Sequence, residues 1–434
     1  MAVSMKTTTN ARVQVKQQAS RNGRIAAARP VAKHVSLSAR RQVASGLNTN
    51  TLAKANVRAS ISSKRSPLVV SASIFSKKDK DRTVIITGAS SGLGKATVAA
   101  LNNAGGHHIV MAVRDAAKAE QVAQELGLPA KSYSILELQL DSFESVKTFV
   151  RKFKATGRQL DCLCCNAAVY LPNQPVPTFT PDGYEESVQV NHLSHFLLCR
   201  LLMADLAKSK NDPRMIIVGS ITGNTNTVGG GAVAPFANLG DLKGLEAMID
   251  GEQKSMMDGK EYWGAKCYKD SKLANMMTVL QLHDRYHEDT GITFSSMYPG
   301  CIAETALFRQ KRGWFRWFFP IFMKFVTGGY VSQEEAGERL AQVVSSEDCS
   351  ESGVYWAWNG GAKTVGWYDF SMGGVRGAGG AGGKVFKCNP SAECRDKVLG
   401  DKLWELSEEA VGMTGNGLFS KKGGSRKVMA GAGK

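Results

Sequence analysis

From Arg82 onward the chain alternates short apolar bursts with amphipathic stretches, and this alternation limits the fold more than any other feature. RTVIIT (82–87), HIVMAV (108–113), ILELQL (135–140), LDCLCC (160–165), MIIVGS (215–220), ITFSSMY (292–298) and GVYWAW (353–358) predict seven strands. Runs this apolar suit strands covered on both faces, and the amphipathic stretches between most of them supply βαβ crossovers. The expected architecture is a single α/β domain over residues 80–411. It is Rossmann-type and doubly wound, with a mainly parallel sheet of about seven strands.

Directly after the first strand comes Thr87-Gly88-Ala89-Ser90-Ser91-Gly92-Leu93-Gly94, leading into a helix expected over 95–103. Gly88 permits a tight turn, Gly92 lets the backbone approach a pyrophosphate, and Gly94 lets the helix pack closely on the strand. The helix N-terminus then faces the anion. A glycine turn with a purely structural role is the plain alternative, and the placement between strand and helix favours dinucleotide binding. The position that reads the adenosine ribose lies some 20 residues beyond such a loop, where a base accommodates a 2′-phosphate. Arg114 and Lys118 stand there, and Lys95 flanks the loop. These three cations favour NADP(H). Asp115 is expected to point away or to cap the following helix, and Asp141 to meet the adenine edge.

Tyr268 and Lys272 are spaced i and i+4, so they share one face of a helix. A free tyrosine has a pKa of about 10, and a nearby cation favours its phenolate. The pair suits proton donation near neutral pH. A lone YxxxK is common on surface helices. Here it follows a glycine loop, Asn191, and Ser220 at a strand end, where reactive groups belong in an open α/β sheet.

In that order, TGASSGLG, the CNAA of 165–168, Asn191, Ser220, YKDSK and YPG (298–300) resemble the short-chain dehydrogenase/reductase family. The resemblance implies Tyr268 as the acid, Lys272 as its modulator and ribose ligand, and Ser220 as hydroxyl partner. It makes Asn191 the holder of a water linking to Lys272. Asn166 and Ala167 would line the adenosine side, with Ile302 and Thr305 at the nicotinamide end. CNAAVYLP, SVQVNHLSHFLL, GSITGNTNT, YKDSKLANM and YHEDTGITFSSMYPGCIAETALFR are similar, more narrowly, to that family's light-dependent protochlorophyllide oxidoreductase group. So are the long insertion between Ser220 and Tyr268 (222–262) and the aromatic segment at 307–330. This implies NADPH as cofactor and protochlorophyllide as substrate. Its C17=C18 double bond would be reduced in light within a plastid, with Tyr268 or Cys301 delivering the proton. A homo-oligomer and peripheral contact with plastid membrane lipids are also implied. A generic NADPH-dependent carbonyl reductase and a non-enzymatic NADPH- or pigment-binding scaffold are the competing readings.

The aromatic run GWFRWFFPIFMKF (313–325) is broken by Pro320 and carries Arg316 and Lys324. That suits an apolar lid over a ring system, an interfacial foot or a core helix better than a membrane span. Met323 stands where the oxidoreductase group usually carries Gln. Tyr298 and the Tyr262-Trp263 pair are either aromatic walls or packing. Cys162, Cys164 and Cys165 read as strand core and Cys267 as structural, while Cys388 and Cys394 are either paired or free, with the free state favoured. No metal site is expected. His192 and His195 read as packed or capping, and His107 and His108 as solvated.

The net charge of +17 invites a nucleic-acid reading, so its placement matters. Residues 1–78 hold 15 Lys/Arg and no acid, and five more bases follow Val411 with no acid. Removing those 20 from 55 leaves 35 bases against 38 acids in 79–411, which argues against a nucleic-acid partner. The acid-free leader reads as a transit peptide over 1–72, cleaved on import, and 412–434 as a flexible basic tail. Gly373–Gly383, inside the long stretch 364–387, reads as a flexible loop.

Overall fold

The computed structural model describes residues 81–231, 234–302, 329–360 and 380–413, all within one compact unit, Ser66–Lys434. The leader, the tail from 414, Thr305, the aromatic run with Met323, and residues 361–379 lie outside the described residues.

Eight strands form one sheet: β1 (Arg82–Thr87), β2 (His107–Val113), β3 (Tyr133–Glu137), β4 (Cys162–Cys165), β5 (Arg214–Val218), β6 (Thr293–Met297), β7 (Val354–Trp358) and β8 (Val385–Lys387). Their order is β3-β2-β1-β4-β5-β6-β7-β8. The first seven are parallel, and β8 pairs antiparallel with β7. All seven expected strands are present. The eighth is an addition: three residues beside a glycine-rich run carry too short an apolar pattern to announce a strand.

The longer helices are α1 (Gly92–Ala104), α2 (Ala116–Glu125), α3 (Phe143–Ala155), α4 (Ser194–Leu206), α5 (Lys243–Ile249), α6 (Gly264–Thr290), α7 (Gln333–Ser345) and α8 (Lys397–Ala410). Side chains on a strand alternate between faces. Val84 and Ile86 therefore join Val98, Leu101, Leu340 and Val344 on the face covered by α1 and α7. Ile85 points the other way, joining Phe149, Leu197, Leu273 and Leu403 under α3, α4, α6 and α8. Ser142, Ser332 and Asp396 cap α3, α7 and α8 through their side chains, and Gly291 ends α6 in the left-handed conformation at φ 65°. α7 packs so closely on α1 that a Cβ at Gly337 would lie 2.4 Å from the backbone carbon of Ala96.

The N-terminal end of the sheet holds a buried polar network. The Arg82 guanidinium donates to the carbonyls of Asn211, Asp212 and Val344. Arg214 donates to Val343 O at 2.7 Å and pairs with Asp212 at 2.8 Å. Asp161 accepts from Thr83 N and Ser209 Oγ.

His107 and His108 correct the sequence reading, because neither is solvated. β2 begins at His107, one residue before the apolar burst, and carries both rings inward. His107 Nε2 meets Ser345 Oγ at 3.0 Å, while His108 lies between Lys131 O and Ser134 Oγ. Burial pushes the His107 imidazole down to about 4.

Candidate active site

The order of strands reverses between β1 and β4, so the loops leaving their C-terminal ends diverge and open a crevice. A cleft of about 740 Å³ occupies it. It reaches from Arg114, Lys118 and Asp141, past Ser90, Ser91, Gly92 and Leu93, to Tyr268, Tyr298, Cys301 and Ile302.

At the first end, Gly88 and Gly92 adopt φ of +69° and +51°, which L side chains rarely take. A Cβ at Gly94 would lie 2.3 Å from Gly88 O, so this glycine serves the contact of helix on turn and does not line the cleft. Ser91 precedes α1 without capping it through its side chain, and the first turn of α1 has no acid. The backbone N–H groups there are free to meet an anion. Asp115 spends its carboxylate on Lys118 N, capping α2, while the side chains of Arg114 and Lys118 are exposed at the rim. Lys95 does not join them: its Nζ is 2.6 Å from Glu125 on α2, outside the cleft lining. A glycine cradle, an uncapped helix start and two rim cations fit a phosphorylated dinucleotide.

Thr87 organises the floor. Its hydroxyl accepts from the backbone N–H of Asn166 and Ala167 at 2.8 and 2.9 Å, and lies 3.0 Å from His195 Nε2. His195 Nδ1 faces Asn191 O at 3.1 Å, which requires a proton on Nδ1. Burial pushes this imidazole down to about 3, so Nε2 of the neutral ring accepts the Thr87 proton. Asn166 closes the loop by donating Nδ2 to Thr87 O. This network ties β1, β4 and α4 together beneath the glycine loop.

Tyr268 and Lys272 sit in the first three turns of α6, both buried. Lys272 Nζ lies 5.8 Å from the centre of the Tyr268 ring and donates to Val218 O at 2.8 Å. Desolvation depresses its ammonium to about 8. Burial pushes the Tyr268 phenol well above the ordinary tyrosine range, against a hydrogen bond from Ser220 that favours its ionised form. Ser220, at the end of β5, also accepts from Thr222 N, which fixes its rotamer.

Asn191 lies in a π-helical turn, Gln189–Leu193. Its side chain clasps Val169 through both N–H and C=O and donates to Ser271 Oγ at 3.0 Å. Ser271 in turn donates to Tyr268 O. The Asn191 carbonyl accepts from Asn275 and His195. Both polar ends of Asn191 thus bond to protein groups, and they hold the post-β4 loop against the helix that bears Tyr268.

Cys301 and Tyr298 close the far end. Burial holds the Cys301 thiol up at about 12, so it keeps its proton. Tyr262 and Trp263 do not line the cleft, and Trp263 is half exposed at the start of α6. Cys267 is buried against Met256 S and Ser255 O. Among the described residues no cluster of His, Cys, Asp or Glu could hold a metal ion, and no helix is long and apolar enough to cross a membrane.

A family model described as short chain dehydrogenase matches residues 82–233. "Protochlorophyllide reductase, chloroplastic" of Cucumis sativus is 50% identical over 359 residues, 82% of this chain and 85% of the cucumber protein. The protein of the same name in Chlamydomonas reinhardtii is 53% identical over 334 residues, covering 77% and 78%. "Protochlorophyllide reductase A, chloroplastic" of Arabidopsis thaliana is 48% identical over 363 residues, covering 83% and 84%. The chain belongs to the protochlorophyllide reductase family.

As a protochlorophyllide reductase relative, the chain leaves the general short chain dehydrogenase pattern at residue 233, inside the insertion and before Tyr268. That insertion is fastened to α6. Asn238 N donates to Asp270 Oδ1, and Lys266 Nζ bridges Asn238 O, Asp258 and Asp270. Sequence reasoning missed three groups at the site. Tyr170 meets Tyr268 in a tilted ring contact, 4.8 Å between ring centres, and Thr87 and His195 carry the floor. An aromatic a few residues past a strand end was the available signal for Tyr170. Nothing in the sequence paired Thr87 with a histidine 108 residues away.

Proposed function

We propose that this chain reduces the C17=C18 double bond of protochlorophyllide in light, with NADPH as hydride donor and Tyr268 as proton donor. The observation that carries this reading is the buried Tyr268–Lys272–Ser220 group at the end of a dinucleotide-shaped cleft. It is joined by the names of relatives about half identical over most of their length.

NADPH, when bound, supplies the hydride. Arg114 and Lys118 would meet the 2′-phosphate at the rim, and the first turn of α1 the pyrophosphate. The phenol of Tyr268 keeps its proton through neutral pH because burial disfavours its anion. Giving that proton up leaves a phenolate, which the Ser220 hydroxyl and the Lys272 ammonium stabilise. Lys272 carries its charge below about pH 8, so the arrangement works on the acid side of that value. Cys301, also protonated, is the second candidate donor. The pigment itself absorbs the light, and the protein's task is to hold it dry beside the reacting groups.

We place the chain in the chloroplast, with the acid-free leader as its import signal, and expect N-terminal sequencing of protein from the plastid to begin downstream of it. A homo-oligomer at the membrane surface is the expected state, read by sedimentation with and without vesicles. The function is tested with purified protein, NADPH and protochlorophyllide kept dark and then flashed. Absorbance should move to that of chlorophyllide only after light. Turnover of a simple ketone in darkness, with no pigment conversion, would favour a generic carbonyl reductase instead.

A further inference from the structure

We propose that Arg339 of α7 is a positioning residue that sets the wall of the cleft facing the reacting end of the cofactor. The inference rests on the dinucleotide reading above. Arg339 is 3% exposed, and its guanidinium gathers acceptors from three separate stretches of chain. Nη1 donates to Pro299 O at 2.9 Å, while Nη2 donates to Glu335 Oε1 at 2.7 Å, Gly380 O at 2.7 Å and Gly382 O at 3.0 Å. Glu335 Oε1 also accepts from Gly382 N, and the guanidinium lies 5.2 Å from the Trp358 ring centre.

Pro299 starts the stretch that ends at Cys301 and Ile302 in the cleft. Gly300 has φ +117°, and a Cβ there would lie 2.3 Å from Val331 and 2.9 Å from Arg339 Nη1. Cys301 O accepts from Val331 N. This wall is therefore held between Val331 and Arg339. Two residues before Arg339, Gly337 presses on Ala96 of α1. One helix thus touches the element that starts the phosphate end of the cleft and the wall at its reacting end. A rigid support of this kind holds reacting groups in register, where a misplacement of about 1 Å costs about a hundredfold. A planar guanidinium serves several carbonyls at once, and a lysine at this position does not.

The experiment uses the full chain. NADPH affinity is titrated in the dark, and chlorophyllide yield per flash is then expressed per NADPH-bound protein, which removes any loss of folded material. Arg339→Met is expected to cut that normalised yield about tenfold. Dark NADPH affinity should stay within about threefold, because Arg114, Lys118 and the glycine loop are untouched. Arg339→Lys should fall between the two. Arg82→Lys, a buried arginine at the opposite end of the sheet, should lower Tm and leave the normalised yield unchanged. A normalised yield for Arg339→Met within twofold of wild type overturns the proposal. If Arg339→Met fails to fold, Arg339→Lys and Glu335→Gln decide it. A clear drop in both supports the positioning role, and wild-type yield in both removes it. Failure of the wild-type chain to bind NADPH or to convert pigment would instead break the functional reading.

Discussion

At the N-terminal end of the sheet, Arg82 and Arg214 are buried under carbonyls and a carboxylate that take up most of their donors. At the C-terminal end, Lys272 is as deeply buried and donates to one carbonyl, Val218 O. Tyr268 has a single side-chain hydroxyl, that of Ser220, favouring its anion. Burial lowers the Arg82 guanidinium as it lowers the Lys272 ammonium, but the consequences differ because an arginine starts so much higher. Arginine holds its charge and, once its donors are matched, contributes to stability. A sparsely partnered lysine and phenol bear an unrelieved desolvation penalty, which appears as a depressed ammonium and a raised phenol. One end of the sheet is built to hold, and the other gathers the groups we propose to exchange a proton.

The largest effect that sharpens this contrast is Tyr268→Phe. Loss of a general acid should cut chlorophyllide formation per flash by roughly two to four orders of magnitude while leaving Tm nearly unchanged. Next comes pH. Lys272 is charged below its pKa of about 8 and neutral above it, so the rate should fall as pH rises through that value. In Lys272→Arg, which stays charged, the fall should shift to higher pH or vanish, as single-flash rates from pH 6 to 10 would show. A smaller effect is expected at the rim. Arg114→Ala with Lys118→Ala should reduce the preference for NADPH over NADH by about tenfold or more, read from dark titrations of both. The smallest catalytic effect belongs to Arg82→Lys, which should cost about 2 kcal/mol and a few degrees in Tm. A marked drop in its yield per bound NADPH would erase the contrast between the two ends.

What could be read in the sequence follows the same division. Tyr268 and Lys272 were legible because their partnership lies within one helix, at a spacing fixed by helical geometry. Ser220 and the glycine loop were legible because strand ends are, and the apolar bursts located seven of the eight strands. Contacts that depend on how distant elements approach were not. Lys95 looked like a phosphate cation until α2 brought Glu125 within 2.6 Å of it. The Thr87–His195 contact needs α4 to cross behind β1, which no local pattern encodes. Likewise His107 and His108 read as solvated because they stand at the polar edge of the apolar run, whereas the ladder to β1 begins at His107. The clasp of the Asn191 side chain on Val169 and Ser271 also depends on how the post-β4 loop meets α6.

The most direct test of the central claim is the isotopic content of the product. Protein, NADPH and protochlorophyllide are assembled in the dark in D2O, where the hydroxyl of Tyr268 and the thiol of Cys301 exchange. The sample is then flashed and the pigment analysed by mass spectrometry. Hydride from the cofactor with a proton from an exchangeable protein group predicts chlorophyllide carrying one non-exchangeable deuterium, and no product in the unflashed sample. Product formed in darkness, or illuminated product without deuterium, would contradict it.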